Sequence, residues 1–174
     1  MPQDDKIYLN LAGEFAVASE LNRRRVLASV TYGASKSADI FAMNRDMTRI
    51  VRIEVKTTKK RKWPIGLKGT KITPQSADVI WVLVLLPEPL VGSASDDIRR
   101  NAHAPRFFVL TAQELFTAYK GGADPFLARY QIRHGKAFDE GRGVPNVRLQ
   151  DVESFEGQWE KIGSRLGESS QSAS

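Results

Sequence analysis

Nine residues, Asp78 to Leu86 (DVIWVLVLL), constrain this chain more than any other stretch. Eight of the nine are apolar and most are β-branched or aromatic. A strand with one wet face alternates, whereas a continuous apolar strand has to be covered on both faces. The run is far shorter than the ~18 residues that cross a bilayer. It predicts a central strand in a sheet, with other elements packed above and below.

The flanking sequence supplies those elements. From Ile7 to about Arg24, apolar residues at Ile7, Leu11, Phe15, Ala18 and Leu21 recur at helical spacing. RVLASVTY reads as a strand. SADIFAMN and TRIVRIEVKTT read as two more, joined across Arg45–Met47 as a hairpin. RFFVLT is another strand, running into TAQELFTAYK, where Thr111 and Glu114 form a capping box and Gly121-Gly122 are expected to stop the helix. VPNVRLQ suits a short edge strand. VESFEGQWEKI suits a terminal helix with Phe155, Trp159 and Ile162 on one side, interrupted in propensity by Gly157. The order predicts an α/β layer fold, a mixed central sheet flanked by helices. With 174 residues, one domain over 1–166 is expected, followed by a polar disordered tail, GESSQSAS. The absence of cysteine excludes disulfides and thiolate metal sites, and MPQDDKIYLN has no apolar signal core. A cytoplasmic location and no membrane association are expected.

Charge is unevenly spread. The net charge is +6, and Arg45 to Lys71 holds ten cations against two acids, Asp46 and Glu54. A local excess of this kind suits a polyanion such as a nucleic acid, and equally a solvated loop that maintains solubility. Much of it falls on the first of two long connections, residues 59–77; the second is 87–105. Connections this long are commonly functional or disordered.

With the hairpin turn centred between Asp46 and Met47, Asp39 lies opposite Glu54, Phe41 opposite Arg52 and Met43 opposite Ile50. Glu54 and Lys56 then share a face with Arg52, while Ile53 and Val55 point the other way. Two opposed carboxylates repel unless a cation stands between them, and Mg²⁺ takes one or two carboxylates with waters and a phosphate. On the first helix Glu14 falls at the margin of the buried stripe, where a carboxylate is costly unless paired or metal-bound. Glu20 falls opposite, as a solvated surface acid. Glu54 and Lys56 also fit a plain alternative, the wet face of an amphipathic strand.

Glu14 in the first helix, Asp39 in ADI and Glu54-Val55-Lys56 in IEVKTT resemble the PD-(D/E)XK nuclease superfamily, most closely its Holliday-junction-resolvase-like and small restriction-endonuclease-like members. The resemblance covers Ile7 to about Thr58 and is looser beyond. Two positions depart from the pattern. Ala38 stands where a proline usually precedes the aspartate, and Arg25 where a glycine often ends the first helix. Neither supplies a ligand.

The resemblance implies a restriction-endonuclease-like αβββαβ core and Mg²⁺-dependent hydrolysis of DNA phosphodiester bonds, with Mn²⁺ able to substitute. Asp39, Glu54 and the Val55 carbonyl would hold the ion, and Glu14 would bind it through water or hold a second one. Lys56 would orient the attacking water or stabilise transition-state charge. Products would carry a 5′-phosphate and a 3′-hydroxyl, and cleavage of both strands would favour a homodimer. Lys36, Lys59, Lys60, Arg61, Lys62, Trp63 and Lys68 are the expected DNA contacts. For Trp63 a core position is the alternative, and for Lys36 a plain polar turn. Rival readings are a catalytically silent nucleic-acid-binding module of the same fold, or an immunity or regulatory protein whose basic face meets an acidic partner. His103 and His134 are expected at the surface, and Trp81 in the core.

Overall fold

The computed structural model describes residues 3–31, 38–86, 104–137 and 144–167. Helix α1 (Gln3–Arg23) leads into strands β1 (Leu27–Val30), β2 (Ile40–Met43) and β3 (Ile50–Thr58). β4 (Lys62–Pro64), a 3-10 turn (Leu67–Thr70) and α2 (Pro74–Ala77) follow, then β5 (Val79–Leu85) and β6 (Arg106–Thr111). The chain continues through α3 (Ala112–His134), β7 (Asn146–Arg148), α4 (Leu149–Val152), a 3-10 turn (Glu153–Phe155) and α5 (Glu160–Leu166).

The main sheet has the order β1-β2-β3-β5-β6. Only β3 and β5 run parallel; the other neighbours are antiparallel. The apolar run forms β5, interior to the sheet as expected, and alternation sends its residues to both faces. Ile80, Val82 and Val84 join Val51, Ile53 and Val55 of β3 beneath α1 and α5. Trp81, Leu83 and Leu85 join Phe108 and Leu110 beneath α3 and a separate two-stranded sheet of β4 and β7. Five strands with helices on both faces make the mixed α/β fold that the sequence predicts. No helix among the described residues is long and apolar enough to cross a membrane.

The β2–β3 hairpin has the expected register, with Phe41 opposite Arg52 and Met43 opposite Ile50. Its turn is held by the Asn44 side chain, which accepts from the Arg49 N–H (3.0 Å) and donates to the Thr48 hydroxyl (2.9 Å), while Met47 takes a left-handed φ of 53°.

Several expectations are corrected. The buried side of α1 carries Val17, Ala18 and Leu21, whereas Phe15 and Ile7 are about half exposed. The stripe is rotated because Gly13, not an apolar side chain, makes the closest approach to the sheet. Gly121-Gly122 do not end α3. Its left-handed cap is Gly135, and the capping box of Thr111 and Glu114 is present. The segment from Val152 to Ile162 breaks at Gly157 (φ 69°) into a 3-10 turn and α5. Residues 59–77 are not a bare loop, since β4 pairs with β7 there. The second long connection lies almost wholly outside the described residues, as does the tail beyond Gly167.

Candidate active site

Strand β3 outruns its hairpin partner. Asp39 donates its N–H to the Ile53 carbonyl (3.0 Å), whereas β3 stays paired with β5 as far as Thr58 opposite Leu85. Among the described residues the β2-side edge of β3 beyond Glu54 has no strand beside it. A backbone donor left there needs a partner. The Val55 N–H finds one in the Asp39 carboxylate, donating to Oδ2 at 2.7 Å. The pairing of Ile40 with Ile53 continues to place Asp39 opposite Glu54.

Lys56 folds back over this edge. Its Nζ donates to the Val55 carbonyl (3.2 Å) and to Glu54 Oε1 (3.4 Å), lies 3.9 Å from Asp39 Oδ2, and sits 5.7 Å from the centre of the Trp81 ring. Glu54 is only 8% exposed and takes a second ammonium, Lys68 Nζ at 3.3 Å. Glu54 and Thr58 are the buried polar residues of the described chain.

Glu14 arrives from α1. A Cβ on Gly13 would fall 1.8 Å from the Thr57 hydroxyl, so only glycine lets the helix backbone lie this close to β3. The Thr57 hydroxyl has no hydrogen-bond partner among the described residues. Burial pushes the Glu14 carboxyl up to about 7; repulsion by Asp39 and, less, by Glu54 adds to this, and Lys56 offsets part of it. Burial likewise raises the Asp39 carboxyl, against the Val55 hydrogen bond and Lys56.

The expected quartet of Glu14, Asp39, Glu54 and Lys56 is thus brought together. Lys68, expected among DNA contacts, is also part of the cluster through Glu54; nothing in its local sequence marks it, because the contact crosses 14 residues. Gly13 and Thr57 were not singled out by sequence, although a glycine one residue before Glu14 is a visible signal. Lys59, Lys60, Arg61 and Lys62 are exposed beside the end of β3. Trp63 is corrected. It is fully buried, its indole N–H donates to the Val84 carbonyl (2.9 Å), and it packs edge-on to Phe108, leaving no face for a base. Glu20 is half-buried rather than solvated, and pairs with Arg23 (2.7 Å) and Arg24. His134 is exposed at the end of α3; His103 and Lys36 lie outside the described residues.

Among the described residues, three carboxylates share this space with two ammonium groups. The upward shifts at Glu14 and Asp39 come first from burial, which the neighbouring ammonium groups do not fully offset, and a proton or a cation would relieve them. Among the described residues no three carboxylate or imidazole side chains form a ready-made ligand group for a metal. The Lys56 ammonium nonetheless lies close to Asp39, Glu54 and the Val55 carbonyl, so those oxygens already converge on a cation. All are hard donors of the kind Mg²⁺ and Mn²⁺ take. No family model matches the sequence, and no curated protein matches it.

Proposed function

We propose that the chain is a divalent-metal-dependent nuclease that hydrolyses DNA phosphodiester bonds, built on the PD-(D/E)XK plan. The observation that carries this reading is the convergence of Glu14, Asp39, Glu54 and Lys56 at the unpaired end of β3. Asp39, Glu54 and the Val55 carbonyl would hold Mg²⁺, or Mn²⁺ in its place, with Glu14 as an outer or second-ion ligand. A bound ion supplies an acidified water and a polarised phosphate.

The chain's own residues do the rest. Asp39 is held in place by the Val55 N–H. Lys56 presents an ammonium where charge on the attacked phosphate would grow. Lys68, 61% exposed at its side chain, extends the positive rim from Glu54 toward solvent. Lys59, Lys60, Arg61 and Lys62 line the approach as phosphate contacts, which position without specifying sequence. A cytoplasmic location fits this reading.

One observation favours the catalytically silent alternative. Glu54 is already paired with two lysines, so the cluster is partly neutralised without a metal. The deciding experiment is incubation of the protein with branched, duplex and single-stranded DNA, in Mg²⁺ and in EDTA. Mg²⁺-dependent cleavage is expected, and binding without cleavage of any substrate would favour the silent module. In the same binding assay, replacing Lys59, Lys60, Arg61 and Lys62 by Ala should flatten the dependence of log K on log salt by ~0.9 per lost contact on duplex DNA. An unchanged slope would place the DNA elsewhere.

A further inference from the structure

On the sheet face that carries Glu54, a cleft of about 370 Å³ opens between α3, the β4–β7 pair and the Leu67–Thr70 turn. It belongs to none of the residues assigned above except Lys62. Two independent features define what it would take.

The first is charge. Lys62 and Arg148 are directly opposed across the β4–β7 pair, and both border the cleft. Like charges directly opposed on a sheet are destabilising. Among the described residues no carboxylate forms an ion pair with either side chain. Asp151, which also borders the cleft, spends an oxygen on the Arg148 backbone N–H (2.9 Å). An anion between the two cations would turn the repulsion into attraction.

The second is shape. Tyr119, Gly122, Ala123 and Phe126 fall at i, i+3, i+4 and i+7, which is one face of α3. Two aromatic rings flank two small residues, so the helix wall is recessed between them. Gly122 faces Asp151 across the cleft floor, where an added Cβ would meet the carboxylate at 3.4 Å, in ordinary contact. Exposed Leu67 borders the cleft opposite.

We infer that this cleft binds one nucleotide of an unpaired nucleic-acid strand, its phosphate between Lys62 and Arg148 and its base against Phe126 and Tyr119. The Leu67–Thr70 turn connects the cleft with the cluster: Lys68 reaches Glu54 while Leu67 and Thr70 border the cleft. A strand lying across the turn would touch both. The inference rests on the nucleic-acid reading given above and adds to it a preference for substrates with an unpaired segment.

The test is fluorescence anisotropy in EDTA, where no cleavage intervenes, with a labelled single-stranded oligonucleotide and an abasic strand of equal length. Phe126 is 44% exposed, so Phe126→Ala does not hollow the core. Phe126→Ala should weaken binding of the base-bearing strand on the order of tenfold, as expected for one lost stacking contact, and leave the abasic strand unaffected. The double variant Lys62→Ala, Arg148→Ala should weaken both strands and flatten the salt dependence by ~0.7 per lost contact on a single strand. Equal losses on both strands for Phe126→Ala, or no loss on either, would overturn the base-binding role. An unchanged salt slope for the double variant would overturn the phosphate role. Cleavage in Mg²⁺ is scored separately. Its absence would retire the nuclease reading without touching the cleft, and cleavage with an unresponsive cleft would do the reverse.

Discussion

Two part-buried carboxylate–lysine clusters stand on this sheet, and they behave in opposite ways. Glu114 holds Lys161 through both carboxylate oxygens (2.7 and 2.8 Å), and the same ammonium donates to the Val109 carbonyl (3.1 Å) and lies over the Phe155 ring. Glu114 also accepts from the Thr111 N–H and hydroxyl. Burial pushes this carboxyl up, but the hydrogen bonds from Lys161 and Thr111 more than offset it and hold it below its usual range. Around Glu54 the same residue types leave Glu14 and Asp39 above theirs. The difference is one of burial against hydrogen bonding. Glu114 has direct hydrogen bonds from Lys161 and Thr111 that outweigh its burial, whereas at the end of β3 burial outweighs the help that Glu14 and Asp39 receive. The Glu114–Lys161 pair ties α5 to α3, with Lys161 also reaching β6, while the cluster at the end of β3 is where the proposed metal would bind. Carboxylates perturbed in this way cluster at functional sites.

The largest contrast should come from the same substitution at each cluster. Glu54→Gln should lower cleavage by more than ~100-fold, since even groups that only support a metal ligand are worth 10–100-fold. DNA binding should stay the same or tighten. Glu114→Gln should leave cleavage intact and cost about 1–2 kcal/mol of stability through the weakened cap and charge-assisted bonds. Cleavage time courses, binding titrations and denaturant melts on both variants decide it. Parental cleavage by Glu54→Gln would collapse the distinction between the clusters.

Next in size is Gly13→Ala, which strikes the approach of α1 that brings Glu14 in. Overpacking against Thr57 should cost about 1–3 kcal/mol. It should also lower cleavage, because the helix has to back away from the cluster. Gly121→Ala, where an added Cβ meets nothing within 4 Å, is the control for a helix glycine as such. If Gly13→Ala melts and cleaves like the parent, the close packing is not what positions Glu14.

Acid and alkali should then separate the clusters in metal-free protein. Glu14 binds its proton more tightly folded than its ordinary 4.5, so its contribution to stability is full below about pH 4.5 and is lost as pH rises through about 7. Glu114 is depressed, so its contribution is present above its ordinary 4.5 and is lost as pH falls through its lower folded value. Glu14→Gln should flatten the neutral limb of a stability profile and Glu114→Gln the acid limb. Profiles of unfolding free energy from about pH 3 to about 8 read this directly. If both variants changed the same limb, the two clusters would not differ as described.

The smallest effect sets the scale for a change that touches neither cluster. Arg25 follows α1 with φ 63°, a left-handed position that costs a side chain strain. Arg25→Gly should stabilise by about 0.5 kcal/mol, the relief of strain being partly cancelled by glycine's entropy when unfolded. A melt shows it, and a loss of stability would mean the arginine side chain contributes more than its backbone costs.

These two clusters also differ in how far the sequence exposed them. Asp39, Glu54 and Lys56 were legible because a hairpin is local and strand alternation is strict, so one turn fixes which residues oppose. Glu14 was legible only in part. The helical phase brought it near the sheet, but the same phase put Phe15 in the core and missed Val17, because periodicity does not register that a glycine can be the point of contact. The capping box of Thr111 and Glu114 was plain, whereas the Lys161 that completes it lies 47 residues away. Trp63 was ambiguous for a similar reason. A three-residue strand has no period to read, and its partner β7 comes some eighty residues later. At Gly121-Gly122 local propensity pointed to a helix end, but the helix runs on to a left-handed cap at Gly135.

The six-residue turn from Asn44 to Arg49 has a consequence for how this chain can vary by descent. Side chains in it are exposed or half-exposed, and most of its hydrogen bonds are made by Asn44 and the backbone. Exchanges of residue type there reach neither the core nor the cluster. Gain or loss of a single residue is different. A one-residue slip of β3 against its neighbours would send Glu54 to the face beneath α1, among Val17, Ile40 and Val82, and bring an apolar residue of β3 out beside Asp39. Apart from Asn44, whose side chain holds it, the turn is therefore free to drift in composition and barred from drifting in length.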